Sequence, residues 1–149
     1  MHKFAAAIGA YCLLGATTIS AQVPAPAGQG QASLVIAFTG IERPTGAIMV
    51  ALFDSEADWT GGRAVRSAMA PVHGASAEVR FDGLAPGRYA VKSFHDVDGD
   101  GRMGTNPFGM PIEPFAFSNN ARAAMGPARW ADAAFEIGAG EVRHAIAIQ

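Results

Sequence analysis

Three aspartates at alternate positions stand in the segment HDVDGDGRMG, residues 95–104, of a chain with few other charges. Asp96, Asp98 and Asp100 occupy positions 1, 3 and 5 of a D-x-D-x-D-G pattern, and Gly101 occupies position 6. Alternate side chains can turn inward to one point, glycine allows the sharp bend, and hard oxygen ligands suit Ca²⁺. Because neighbouring carboxylates repel one another when ionised, a cation would relieve an electrostatic cost. The segment therefore predicts a calcium-binding loop.

The pattern departs from an EF-hand in its second half. Pro107 stands at position 12, where an EF-hand has a bidentate Glu, and the flanking sequence predicts a strand and a loop instead of two helices. We therefore expect the remaining ligands to come from the backbone carbonyl of Arg102, from Asn106, from Glu113 or from water. The alternative is a solvated turn without an ion, because Asp and Gly favour turns for backbone reasons.

His95, directly before the first aspartate, is a candidate general base because imidazole titrates near neutral pH. A hydrolase-like enzyme would combine it with Asp96 and Glu113. No nucleophile is identifiable beside it, and the sequence contains neither G-x-S-x-G nor H-E-x-x-H. We therefore expect no enzymatic activity, and expect His95 to bond the backbone or Glu113 and to hold the loop in place.

Other polar and aromatic residues favour structural roles. His73 and His144 lack metal-ligand spacing to another histidine. Trp59 and Trp130 could stack on a sugar, but core positions are more common for such residues. The segment FSNNA, residues 117–121, is expected to form a structural turn, since Asn suits left-handed turns and bonds neighbouring backbone.

The elements that must position these residues are short strands. Residues 75–81 alternate between small or apolar and polar side chains, which is typical of a sheet with one dry face. The segment GLAPGRY, residues 83–89, is typical of a turn that enters a sandwich strand, in which Gly87 permits unusual dihedrals and Tyr89 buries its ring and bonds backbone through its hydroxyl. The predicted strands cover residues 33–40, 46–54, 63–72, 75–81, 88–95, 130–137 and 141–149.

This succession predicts an all-β domain, an immunoglobulin- or transthyretin-like β-sandwich of about seven strands with one long irregular loop. The loop runs from residue 96 to about residue 128 and is expected to fold over one end of the sandwich. Residues 55–62 are expected to form a loop or one helical turn, with Ser55 as the N-cap.

Residues 1–21 have the layout of a secretory signal peptide, with Lys3, a short apolar run and small residues at the end. Residues 22–31 are rich in Pro, Gly and Gln and predict a flexible leader, so the folded domain is expected at 32–149. Without residues 1–21 the chain has no cysteine and carries ten basic against thirteen acidic residues, a net charge of −3. An exported protein without disulfides must be held together by its core or by a bound ion.

These features define the expected partners. No basic stripe is visible, which argues against nucleic acid, and we expect no membrane span in the mature chain. We expect a monomer, periplasmic or secreted, whose envelope ligand or protein partner the sequence does not identify.

The stretch FHDVDGDGRMGTNPFGMPIEPFAFSNNA, residues 94–121, resembles the domain of unknown function 2141 family of small exported bacterial proteins. That family has roughly His-Asp-x-Asn/Asp-x-Asn/Asp-Gly-x-x-Asp, then Gly-x-Pro-x-Glu, then Phe-Ser-Asn-Asn. One departure is Gly104, where the family usually has an acidic residue and hence one more candidate ligand. The matching residues are His95, Asp96, Asp98, Asp100, Gly101, Gly109, Pro111, Glu113, Phe117, Ser118, Asn119 and Asn120.

The resemblance implies a compact exported β-sandwich and implies no particular activity. Together with the aspartate loop it leads us to expect a non-enzymatic binding or accessory domain of the cell envelope, with Ca²⁺ ordering the loop. The alternatives are a hydrolase-like enzyme using His95, Asp96 and Glu113, and a purely structural domain in which the loop is a rigid cap without an ion.

Overall fold

The computed structural model describes residues 31–149. The predicted signal peptide, and the predicted leader up to residue 30, lie outside the described residues. Within the described range, none of the helices has the length and apolar composition needed to cross a membrane. The elements are β1 (Ala32–Thr39), β2 (Ala47–Phe53), α1 (Glu56–Gly61), β3 (Arg66–Pro71), β4 (Ala77–Leu84), β5 (Gly87–Asp96), β6 (Phe115–Phe117), a 3₁₀ turn (Ser118–Asn120), α2 (Trp130–Ala133), β7 (Phe135–Ile137) and β8 (Gly140–Ala147).

The strands form two sheets. In the first sheet β1 lies between β4, which is antiparallel to it, and β8, which is parallel to it. The second sheet is antiparallel and has the order β3-β2-β5-β6, and β7 pairs with the first residues of β5. The two sheets bury one shared hydrophobic core. The predicted all-β sandwich is confirmed.

Strand alternation decides which side chains enter the core. In β2, Ile48, Val50 and Leu52 are at most 3% exposed and belong to the core between the sheets. In β4, Val79 and Phe81 are buried while the residues between and beside them are exposed. Since successive side chains of a strand point to opposite faces, the alternation seen in the sequence predicts these buried positions correctly.

Residues 130–137 differ from the single strand that the sequence predicts. They form the short helix α2 followed by the three-residue strand β7. Trp130 and Ala133 are both buried, and residues three apart share one face of a helix rather than one face of a strand. The prediction of one strand was wrong because it assumed a period of two where the buried residues follow a helical spacing.

A second hydrophobic cluster covers part of the outer face of the second sheet. Trp59 of α1 lies in it, donates its indole N–H to the carbonyl of Ala128 at 2.9 Å, and has its ring centre 6.1 Å from that of Trp130. Ser55 caps α1 by accepting from the amide of Asp58 at 3.2 Å, as predicted. Both tryptophans are thus core residues.

The turn before β5 also matches its sequence signature. The hydroxyl of Tyr89 donates to the carbonyl of Ala85 at 2.8 Å, and the ring is buried. The glycine with a positive φ is Gly83, at +70°, and not Gly87 as the sequence suggested. Gly83 lies within β4, where the pairing register of β4 with β1 shifts, and the bend between β4 and β5 is at Pro86.

Candidate cation site

The connection from β5 to β6, residues 97–114, is ordered by its own hydrogen bonds. Its two ends are joined where the amide of His95 donates to the carbonyl of Pro114 at 2.8 Å. In its second half, the amide of Ile112 donates to the carbonyl of Gly104 at 2.9 Å, and Asn106 and Met110 are bonded in the same way. The connection thus consists of the aspartate loop followed by a short hairpin.

Asp96, the last residue of β5, organises the aspartate loop. Its carboxylate is buried, and its two oxygens accept the amides of Gly99 at 2.8 Å and Gly101 at 2.9 Å. Both glycines have positive φ, 80° and 76°, a conformation that glycine adopts without steric cost. The chain therefore wraps around the Asp96 side chain, whereas the D-x-D-x-D-G pattern predicted that all three aspartates turn toward one cation.

Asp98 and Asp100 lie on the exposed part of the loop. Asp98 Oδ1 accepts the amide of Asp100 at 3.2 Å, and Asp100 Oδ1 accepts the amide of Arg102 at 2.7 Å. These are local side-chain-to-backbone bonds two residues apart, the usual Asx-turn geometry. Arg102 is exposed.

Glu113 closes the connection from its far end. One carboxylate oxygen accepts the amide of Val97 at 2.9 Å, and the other accepts the amide of Gly104 at 2.8 Å. The side chain thus bridges the first residue of the aspartate loop and the first residue of the hairpin. A Cβ on Gly104 would lie 3.1 Å from a side-chain carbon of Ile112 and 3.5 Å from Cγ of Glu113, so an acidic residue here would stand beside this carboxylate.

Asp96, Asp98 and Glu113 form the only group of three or more acidic, histidine or cysteine side chains in residues 31–149 with ligand atoms close enough to hold a metal ion. One carboxylate oxygen from each lies within 4.8 Å of the others. Asp100 is not part of this trio. The side chain of Asn106, which the sequence suggested as a ligand, lies in the tip of the hairpin instead. Its oxygen accepts the amides of Phe108 at 2.9 Å and Met110 at 3.0 Å.

His95 lies inside the sandwich, only 1% exposed. Its Nε2 is 2.7 Å from the carbonyl oxygen of Thr45, which can only accept, so Nε2 carries the proton. This bond ties β5 to the connection between β1 and β2. The predicted backbone partner is found.

A cleft of about 420 Å³ opens beside the trio. Asp98, Glu113 and His95 line it, together with Glu42 and Arg43 from the connection between β1 and β2. Glu42 and Arg43 lie between the predicted strands 33–40 and 46–54, and the sequence indicates no role for them. No local pattern identifies them, since their place beside the loop depends on the pairing of β2 with β5.

The FSNN segment holds β5, α2 and β8 together. Ser118 is fully buried, accepts the amide of Val91 at 2.9 Å and donates to the carbonyl of Ala133 at 2.6 Å. Asn119 and Asn120 have φ of 57° and 50°, and their side chains bond the backbone of Asp132, Ala134 and Ala147. These contacts are those of the predicted structural turn.

A family model described as an uncharacterised protein conserved in bacteria, domain of unknown function 2141, matches residues 36–145. Comparison with curated proteins and with solved structures finds no match. The match runs from β1 into β8 and includes the whole connection that carries the acidic trio. The chain therefore belongs to this bacterial family, the one that its motifs resemble.

Proposed function

We propose that this protein is a non-enzymatic accessory domain of the bacterial cell envelope that binds Ca²⁺ through Asp96, Asp98 and Glu113. The observation that carries the proposal is the convergence of these three carboxylates, whose oxygens lie within 4.8 Å of one another. Asp96 is the last residue of β5, Asp98 lies at the start of the β5–β6 connection, and Glu113 lies at its end. A bound ion would therefore tie together both ends of an excursion that has little hydrophobic core of its own.

The chemistry of the trio fits a hard cation. Each carboxylate oxygen has more than one lone pair, so an oxygen that accepts one amide can still coordinate an ion. Calcium takes six to eight oxygen ligands in a flexible geometry, and the cleft beside Asp98 and Glu113 has room for water to complete the set. Ionised carboxylates this close repel one another, and a cation between them would offset that repulsion.

The surroundings of His95 support a non-enzymatic role over the hydrolase-like alternative. The imidazole is almost fully buried, and its Nε2–H is engaged by a backbone carbonyl. Both oxygens of Asp96 and both of Glu113 accept backbone amides. An acid–base pair must reach the substrate's proton, and these groups are held by the loop itself.

The test is thermal unfolding with Ca²⁺ against EDTA. An ion that binds only the folded state stabilises it by about 2.7 kcal/mol at one hundred times its Kd, which for a domain of this size raises Tm by about 10 °C. We expect this rise for the unaltered protein and its loss in Asp98→Asn, which removes a charge from the trio but keeps an acceptor for the amide of Asp100.

Asp100→Asn is the matched control, because it removes the same charge two residues away and outside the trio. It should keep most of the calcium shift. Equal shifts in both variants would reduce the effect to general charge screening, and no shift in the unaltered protein would leave the loop as a rigid cap without an ion.

Export is tested separately, by mass spectrometry of the protein from the cell envelope, where cleavage after Ala21 is expected.

A further inference from the structure

An apolar groove of about 390 Å³ runs over the outer face of the second sheet, apart from the acidic trio. Its floor consists of two rows of residues paired across β3, β2, β5 and β6. The first row is Met49, Phe94 and Phe115, and the second is Ser67, Ala51, Lys92 and Phe117. Met103 and Pro111 of the β5–β6 connection and Pro127 before α2 also line it.

Lys92 is the only charged side chain that lines this groove and the only lysine among residues 31–149. Its ammonium group donates to the carbonyl of Trp59 at 2.6 Å and lies 4.5 Å and 4.8 Å from the ring centres of Trp59 and Phe53. An ammonium has three donors, so this contact leaves two for other partners. None of the ion pairs in residues 31–149 includes Lys92.

The surroundings of Lys92 disfavour the charged form of its amine. Burial lowers the pKa of its amine, because a charged group loses hydration between apolar side chains. An anion that reached the amine would offset this loss. Lys92 also lines a second, shallow depression, which includes Thr60, Arg129 and the exposed Glu56. A carboxylate bound at Lys92 would therefore stay in contact with water.

We propose that this groove binds a medium-chain fatty acid anion, with its alkyl chain on the apolar floor and its carboxylate at Lys92. The observation behind this proposal is the complementarity between a fatty acid anion and a lining of ligand size that is mostly apolar and has Lys92 as its one charged side chain. Strands lie about 4.8 Å apart, so the floor extends about 10 Å from Lys92 on β5 to Ser67 on β3, which accommodates most of an extended ten-carbon chain. Methionines in the lining adapt to a flexible chain.

The test is an NMR titration of the protein, labelled with ¹³C on its methionine methyl groups, with decanoate below its micelle concentration. Met49 and Met103 line the groove and should shift. Met125, which is fully exposed and outside the lining, should not. 1-Decanol, with the same chain and no charge, should bind more weakly.

Lys92→Met should weaken decanoate binding about tenfold or more, the usual loss for a hydrogen bond to a charged group, and leave decanol binding within about twofold. Lys92→Arg should restore the preference for decanoate. Ala51→Phe fills the floor and should abolish binding of both ligands, which keeps the site testable if Lys92→Met does not fold.

Three outcomes would overturn the proposal. The first is the absence of shifts at Met49 and Met103. The second is equal decanoate affinity in Lys92→Met and the unaltered protein. The third is a shift of the same methyl groups on raising protein concentration without ligand, because a second copy would then cover this face.

Discussion

At the scale of single residues, histidines take two different structural roles. His95 donates to a backbone carbonyl from within the sandwich. His144 stacks on Phe135, with ring centres 4.0 Å apart, and its Nε2 accepts the amide of Asn119 at 3.0 Å. Because an accepting Nε2 must be unprotonated, the native contacts of His144 require the neutral ring.

His144 should make stability depend on pH. Burial lowers the pKa of His144 below its usual value of 6.5, so the unfolded chain binds a proton more readily than the folded one. The contribution of His144 to the stability of the folded state is therefore present above pH 6.5 and is lost as the pH falls below that value. Urea denaturation at pH 7.5 and pH 5.0 should show a smaller loss of stability in His144→Phe, which keeps the stack but does not titrate. Equal losses in both proteins would contradict this role.

At the scale of elements, the connection between β1 and β2 fits closely against the end of β5. Gly46 has φ of +69°, and a Cβ there would overlap the carbonyl oxygen of Asp96. The backbone can approach Asp96 only because residue 46 has no side chain. The position of the first residue of the acidic trio thus depends on a turn fifty residues earlier in the chain.

Gly46→Ala should be much more damaging than Gly83→Ala. Both glycines have the same left-handed conformation, which costs an alanine about 1–2 kcal/mol, but a Cβ on Gly83 meets no atom within 4 Å. We expect Gly83→Ala to lose about that amount and Gly46→Ala to lose at least about 3 kcal/mol, because backbone must move. Urea denaturation compares the two directly. Similar losses would mean that the contact with Asp96 relaxes without cost.

At the scale of the whole molecule, stability comes from the core between the two sheets. Leu34, Ile36 and Phe38 of the central strand β1 are completely buried there. The hairpin of the β5–β6 connection contributes little to this core, since Phe108 near its tip is 89% exposed. None of residues 97–114 belongs to the core between the sheets, so we expect the sandwich to depend little on this hairpin for its stability.

Phe38→Ala and Phe108→Ala compare how much the core and the hairpin contribute to the free energy of unfolding. Removing a fully buried phenylalanine costs about 3–5 kcal/mol through lost burial and the cavity left behind. The same change at the exposed Phe108 should stay within about 0.5 kcal/mol. Free energies of unfolding from denaturant melts measure both. A large loss at Phe108 would show that the hairpin supports the sandwich.

Much of the fold could be predicted because its signals are local. Alternation with period two identifies the buried face of β4, Ser55 marks the start of α1, and the turn before Tyr89 leads into β5. The short strand β6 and the helix α2 could not be predicted in this way. Three or four residues carry too little periodicity, and their conformations depend on pairing with β5 and on packing around Trp59.

For the candidate site, the sequence by itself determined the family motif and the loop that wraps around Asp96, since both depend on residue types at short, fixed spacing. Only the tertiary structure decided which carboxylates meet. It brings Glu113, seventeen residues away, beside Asp96 and Asp98, and it directs Asn106 into the tip of the hairpin. It also decided that Lys92 lies alone in an apolar groove. Such arrangements depend on strand pairing across the sandwich, and no spacing along one chain encodes them.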